Sequence, residues 1–418
     1  MSSYLNRIGK QSRKAFEQNL QINTKIKNLA LNNYNKNLLK EKYLIIKENN
    51  KDILKAKKKK LRENLIDRLI INNHGLDQIR FSINEIIKQK DPIGNIISEW
   101  KRPNGLKIKK VSIPIGVIGI IYESRPNVTS DVAALCFKSG NSAILRGGSE
   151  AWYSNYLLSK IFRKSLKKFK INKNCIQFIE KRDKKLVNYF LSKMTNYIDV
   201  IIPRGGKNLV KKVQNFSKVP TIGHLEGVCH VYIDRESNFN IAKKIIINSK
   251  MRKTSNCGAA ETLLIDKKFP TTNLNSILKD LESSGCKIIC DNYIAKLYKG
   301  KKYYAKDSDW GKEYLAPIIS VKGVSGVNEA IFHINKYGTS HTDSIVTNNK
   351  SKASIFLSRV NSAIAIHNSS TQFADGGEFG FGAEVGISTN RLHARGPVGL
   401  EQLTTFKYII FGKGQIRN

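Results

Sequence analysis

From residue 115 onward the chain alternates short apolar runs with amphipathic segments, and this alternation limits its fold more than any other feature. "IGVIGIIYE" reads as a buried strand, "VTSDVAALCFKSG" as a helix closed by Gly140, and "NSAILRGG" as a second strand. The helix "NYLLSKIFRKSLKKF", strand "CIQFIEK", helix "DKKLVNYFLSK", strand "IDVIIPRGG" and helix "KNLVKKVQNF" continue the series. Strands joined by crossover helices build a parallel, doubly wound α/β sheet of the kind that holds dinucleotides. A second α/β stretch begins near residue 229 with "CHVYID" and "NIAKKIIINSKM" and runs through "ETLLID", "GCKIICD" and "APIISVKGV". It leads to the glycine-rich segment "HNSSTQFADGGEFGFGAEVG", where small residues let backbone approach a ligand closely. Neither a G-x-G-x-x-G fingerprint nor a Walker A loop occurs. Either the domain binds no dinucleotide, or it holds one by another geometry.

Two segments flank this core. Residues 1 to about 95 carry Lys, Leu, Ile, Asn and Glu at helical spacing, with no proline before Pro92, so long helices are expected. Next, "EWKRPNGLKIKKVSIPIG" places Asn104-Gly105 between two strand-like runs. That pair predicts a two-residue hairpin turn, since both central positions need positive φ, and hence a projecting β-ribbon. The last strand, "FKYIIF", and this ribbon predict a homo-oligomer. With 418 residues, 40% of them hydrophobic, the chain can bury a large core and favours two or more domains.

Composition then excludes several classes. The most apolar stretch, "SIPIGVIGIIY", falls well short of the ~18–20 residues of a membrane span. The N-terminus lacks an apolar run followed by a small-residue cleavage site, so no secretory signal is expected and a cytoplasmic location follows. The formal charge of +39 raises the alternative of a basic nucleic-acid-binding protein. Its lysines are spread over the whole chain, without a zinc finger, a glycine-arginine tract or aromatic interleaving. A solvated basic surface is the expectation, with no specific nucleic acid. Of the six cysteines only Cys286 and Cys290 are close in sequence, and neither a second pair nor a nearby histidine completes a zinc set. No metal centre is expected from them, and most cysteines read as buried small residues.

Cys257 stands apart. "SNCGAA" crowds no bulky group against the sulfur, where a helix hands over to the strand "ETLLID". Backbone N–H groups at such a junction can lower a thiol pKa and serve as oxyanion donors. The plain alternative is a small residue filling a gap. A Cys-His hydrolase would need a general base, and no histidine is adjacent in sequence, although a distant one is open.

"KTSNCGAAETLLID" resembles the active-site segment of the aldehyde dehydrogenase superfamily, and the match is closest to its gamma-glutamyl phosphate reductase branch. "IPIGVIGIIYESRPNVTSDVAALCFKSGNSAILRGG", "IIPRGG", "IGHLEGVCHVYID", "DWGKEYLAPIISV", "HINKYGTSHTDSIVT" and "STQFADGGEFGFGAEVGISTNRLHARGPVGLEQLTTFKY" stand in the expected order over essentially the whole chain. The resemblance implies an aldehyde-dehydrogenase-like fold: an NADP-binding domain over 1–99 and 116–228, a catalytic domain over 229–395, and a ribbon with C-terminal strand over 100–115 and 396–418 for oligomerisation. It also implies NADPH-dependent reduction of L-glutamyl 5-phosphate to glutamate 5-semialdehyde, with phosphate released, in proline biosynthesis. A glutamate 5-kinase is then the implied functional partner.

Residue by residue, the resemblance makes Cys257 the nucleophile and Asn127 the side-chain oxyanion donor beside the Cys257 N–H. Without it, Asn127 is a turn asparagine after proline. Arg146 and Ser149 would lie at the cofactor's adenosine ribose, and an arginine without a paired acid favours a 2′-phosphate, hence NADPH, although Glu150 lies next door. Gly205 and Gly206 would approach the pyrophosphate at a helix start, and Glu313 the nicotinamide ribose. Hydrolytic members carry a water-activating glutamate in E-L-G-G. Here "HLEG" puts His224 at that position with Glu226 two residues on, which disfavours the alternative of a hydrolytic NAD(P)-dependent aldehyde dehydrogenase. Arg125, His224, Ser369, Ser370, Thr371 and Arg395 are the candidates for the substrate, the arginines because a guanidinium pairs bidentately with phosphate or carboxylate.

Overall fold

The computed structural model describes residues 2–123, 125–183 and 185–417. It divides into two compact units. The first comprises the chain up to Gly223, Gly380–Gly386 and everything from Val398 on; the second comprises His224–Phe379 and Ile387–Pro397.

The first unit opens with α1 (Ser2–Asn19), α2 (Thr24–Lys40), α3 (Lys42–Lys58), α4 (Glu63–Asp67) and α5 (Asn73–Lys88). Asn23 and Asn72 start α2 and α5 by accepting the N–H of Ile26 and Gly75, at 3.0 and 2.8 Å. The expected ribbon follows as β1 (Ile96–Lys101) and β2 (Lys107–Pro114), paired antiparallel. Its turn differs from expectation. Lys101 pairs with Lys107, so five residues close the loop, with Arg102 N–H donating to Leu106 O at 2.8 Å. Only Gly105 takes positive φ, at 87°, while the Asn104 carboxamide caps the loop by accepting Leu106 N–H at 3.3 Å. Asn104 thus supplies a side-chain acceptor instead of a left-handed backbone.

Next come β3 (Val117–Tyr122), α6 (Asn127–Lys138), β4 (Ser142–Gly147), α7 (Trp152–Lys167), β5 (Ile176–Phe178), α8 (Lys185–Ser192), β6 (Val200–Arg204) and α9 (Lys207–Phe216). The four strands form a parallel sheet in the order β5-β4-β3-β6. Every residue of β3 and β4 is buried, as continuous Val/Ile/Leu runs require of a sheet covered on both faces. The chain steps outward from β3 through β4 to β5, then returns to β3's other side with β6. That reversal makes a crevice at the carboxyl ends of β3 and β6.

The second unit holds β7 (Cys229–Ile233), α10 (Phe239–Met251), β8 (Ala260–Asp266), α11 (Thr271–Ser283), β9 (Lys287–Cys290), α12 (Asn292–Leu297), β10 (Tyr303–Tyr304), β11 (Ile318–Val324), α13 (Val327–Tyr337), β12 (Thr342–Val346), α14 (Lys350–Arg359) and β13 (Ile364–His367). Its sheet is parallel, in the order β10-β9-β11-β8-β7-β12-β13. Two short strands, β14 (Ile387–Ser388) and β15 (Gly396–Pro397), pair nearby, and the C-terminal strand β16 (Thr404–Phe411) returns to the first unit to pair antiparallel with β2. Among the described residues no helix is long and apolar enough to cross a membrane.

Candidate active site

The second unit's central strands β7, β8 and β12 converge on Cys257. The residue lies in the turn between α10 and β8, half-buried and packed against the apolar cluster of Ile364, Ala374 and Ile387. Gly227, just before β7, fixes that turn from below. A Cβ there would stand 2.2 Å from the Cys257 carbonyl oxygen and 2.9 Å from its Cβ, so only glycine allows this approach. Glu313 accepts the Gly227 N–H at 2.8 Å, and Thr339 Oγ1 accepts that of Val228 at 2.9 Å. Gly258 faces Thr371 O at 3.0 Å from where its Cβ would be, which brings the 371–374 turn against the nucleophile's segment.

Two imidazoles complete the site. His224 and His341 pack edge to face with centroids 4.8 Å apart, and their nitrogens and Cys257 Sγ all lie within 4.8 Å of one another. His224 Nδ1 is 2.7 Å from Ile387 O, so it donates there. His341 Nδ1 is 2.9 Å from Thr342 Oγ1 and 3.5 Å from Cys229 Sγ. Burial pushes the Cys257 thiol up, but the His341 and His224 rings overcome it and hold the thiol well below its ordinary value. Cys229, one strand away and fully buried, has the opposite fate: burial keeps it a neutral thiol, and it donates to Cys257 O at 3.1 Å. One cysteine is thus prepared as a thiolate nucleophile and its neighbour as an inert prop.

Glu313 is raised by burial first, then by the negative charge at Cys257 and Glu226, against the Gly227 N–H. Its loop is anchored through Leu315, whose N–H donates to Glu261 at 3.1 Å. Glu261 and Lys250, both with 0% side-chain exposure, form an ion pair at 2.5 Å, and burial still pushes Glu261 up to about 7.

The other expected site residues are distributed as follows. Ser370 is buried as a cap, its hydroxyl 3.1 Å from Ser249 Oγ and accepting Gln372 N–H at 3.2 Å. Ser369 accepts Ser344 Oγ through its carbonyl at 2.7 Å. Arg395 donates from Nη2 to Asn361 O, keeps a buried unpartnered Nε, and is lowered by burial. Asn127, Arg125, Arg146, Ser149, Gly205 and Gly206 belong to the first unit. Asn127 is the first residue of α6, and its Nδ2 donates to Asp131 Oδ2 at 3.0 Å. Burial raises Asp131 to about 7. Arg146 ends β4, donating to Gly147 O with a buried, unpartnered Nε, and Glu150 interacts with it electrostatically. Gly206 caps α9, but its N–H already donates to Glu123 Oε2 at 2.9 Å.

His341, Cys229 and Gly227 were not singled out by sequence. His341 lies in "KYGTSHTDSIVT", just before β12, and nothing in its spacing links it to residue 257.

No protein-family model matches the chain. It is 46% identical over 94% of its length to the gamma-glutamyl phosphate reductase of Brucella suis, covering 93% of that protein. It is 44% identical over 99% of its length to that of Rhizobium johnstonii, covering 96% of it. The crystal structure of the Thermotoga maritima gamma-glutamyl phosphate reductase superimposes with a TM-score of 0.96 at 39% identity, covering 99% of this chain and 100% of that one. An acetylating aldehyde dehydrogenase from Geobacillus thermoglucosidasius shares the fold, with a TM-score of 0.71 at 15% identity and coverage of 100% and 98%. The identity over nearly full length on both sides places this chain in the gamma-glutamyl phosphate reductase family.

Proposed function

We propose that the chain reduces L-glutamyl 5-phosphate to L-glutamate 5-semialdehyde through a thioester on Cys257, with NADPH as reductant. The observation that carries this reading is the cysteine held as a thiolate between two imidazoles, in a member of that family. The thiolate attacks the acyl carbon, the carbon–oxygen bond to phosphate breaks, and inorganic phosphate leaves with the electron pair. Phosphate is a stable anion and needs little protonation, so no strong acid is required. Asn127 donates one amide N–H to Asp131, which orients the carboxamide; its second N–H and the Cys257 N–H would be the oxyanion donors. Once the thioester carbon has accepted hydride, collapse of the resulting thiohemiacetal oxyanion expels the thiolate and frees the aldehyde.

The first unit fits a dinucleotide. Arg146 Nε is buried without a partner at the carboxyl end of a parallel strand, beside the switch-point crevice. Arg146 and Ser149 would hold the adenosine ribose, with Glu150 the group opposing a 2′-phosphate, and Gly205 and Gly206 the pyrophosphate. Glu313 would hold the nicotinamide ribose. A bound nicotinamide supplies the hydride that reduces the thioester carbon. Arg125, His224, Ser370 and Arg395 are the proposed substrate contacts. Residues 1–99 and 116–228 would serve the cofactor, 229–395 the catalysis, and the ribbon and C-terminal strand the homo-oligomer, with a glutamate 5-kinase supplying the labile acyl phosphate in the cytoplasm.

The hydrolytic alternative loses its water-activating carboxylate to His224. A nucleic-acid-binding role gains no support from any motif. Replacement of Cys257 by Ala should abolish turnover while NADPH binding, followed by fluorescence titration, persists. Turnover retained by Cys257→Ala would remove it as the nucleophile.

A further inference from the structure

We propose that His224, Cys257 and His341 also form a binding site for a thiophilic divalent cation, Zn²⁺ being the best match, which reversibly caps the nucleophile. The three donor atoms already lie within 4.8 Å of one another. Tetrahedral zinc, with Zn–S about 2.3 Å and Zn–N about 2.0–2.1 Å, sets its donors about 3.5 Å apart. Closing the difference takes a shift of about 1.3 Å between donor atoms.

The surroundings suit a ligand set. His224 donates its Nδ1 proton to Ile387 O at 2.7 Å, which leaves Nε2 with the lone pair. A carbonyl behind a histidine is the usual support of a metal-ligating imidazole. His341 is fully buried, with Nδ1 against the Thr342 and Cys229 side chains, and its ring also hydrogen-bonds the Cys257 sulfur. Glu313 interacts electrostatically with both His224 and Cys257, and with Glu226 it adds negative charge where a cation would sit, despite the positive chain as a whole. Two nitrogens and a sulfur exclude Mg²⁺ and Ca²⁺, which demand oxygen, and favour zinc or its spectroscopic substitute cobalt. Three protein ligands leave a fourth position open for water.

Binding would place the sulfur lone pair on the cation, and any proton on the thiol or on the coordinating imidazole nitrogens would be released to solvent. No oxidation is involved, so a chelator restores the thiolate. The site would thus mask the same atom that attacks substrate, coupling turnover to free zinc.

The test uses the full-length chain, stripped of metal and free of nucleotide and substrate. Zn²⁺ is titrated by calorimetry, and Co²⁺ is followed by its absorption. One Zn²⁺ per chain is expected, with a thiolate-to-cobalt charge-transfer band. Cys257→Ala and His224→Ala should each weaken binding by more than about 100-fold, beyond the ~10–100-fold that losing an outer-shell partner costs. His341→Ala should do the same, but its burial risks the fold, so the other two variants are decisive. Reductase activity of the unmodified chain should fall in step with zinc occupancy and return on chelation. Binding unchanged in Cys257→Ala and His224→Ala, or cobalt bound without the thiolate band, would overturn the site. Zinc binding as described in a chain without reductase activity would support this site and count against the proposed reaction instead.

Discussion

At the scale of single residues, the chemistry turns on one sulfur and the two rings beside it. Burial alone would leave Cys257 protonated, as it leaves Cys229; the imidazoles reverse the sign. A depressed pKa means that the thiolate persists as pH falls and is lost only as pH passes below the lowered value. Alkylation by iodoacetamide should therefore stay fast through neutral pH. In His341→Gln the larger lowering influence is gone, so the midpoint of the alkylation–pH profile should rise towards the ordinary value of 9.0. An unchanged midpoint would contradict the pairing. The sequence displayed Cys257 through its small neighbours, and the resemblance supplied Asn127. Neither displayed His341, because an interaction between residues 84 positions apart follows from β7 and β12 lying side by side, which no local pattern encodes.

At the scale of elements, the turn carrying Cys257 is held by buried polar contacts as much as by packing. Gly227 lets two backbones meet, Glu313 ties its N–H, and Glu261 ties the Glu313 loop through Leu315. Lys250 on α10 neutralises Glu261 on β8 with both side chains out of water. Removing one partner strands the other charge, so Lys250→Met should destabilise the chain by about 3–5 kcal/mol in denaturant unfolding. A loss below about 1 kcal/mol, the worth of an exposed pair, would contradict this role. Periodicity disclosed β3, β4, β6, β7 and β8 because apolar runs between crossover helices leave few alternatives. It misjudged the Asn104-Gly105 turn, where an asparagine side chain did the work assigned to its backbone.

At the scale of the whole molecule, the ribbon is the part that one chain leaves unsatisfied. β1 is exposed along its whole length, and Phe406, Tyr408, Ile410 and Phe411 of β16 also face solvent on an edge strand. Such an apolar edge invites a second copy. Ile410→Lys with Tyr408→Lys should shift the mass measured by light scattering towards the monomer; an unchanged mass would place the interface elsewhere. The parallel sheets and the family were legible in the sequence. What the ribbon pairs with was not, since a partner strand would come from another chain. What the acyl group on Cys257 meets, phosphate or water, is tested most directly in reverse. With glutamate 5-semialdehyde and NADP⁺, cofactor reduction should require added inorganic phosphate and rise with its concentration. Reduction that proceeds equally well without phosphate would mean that water releases the acyl group, and would contradict the account.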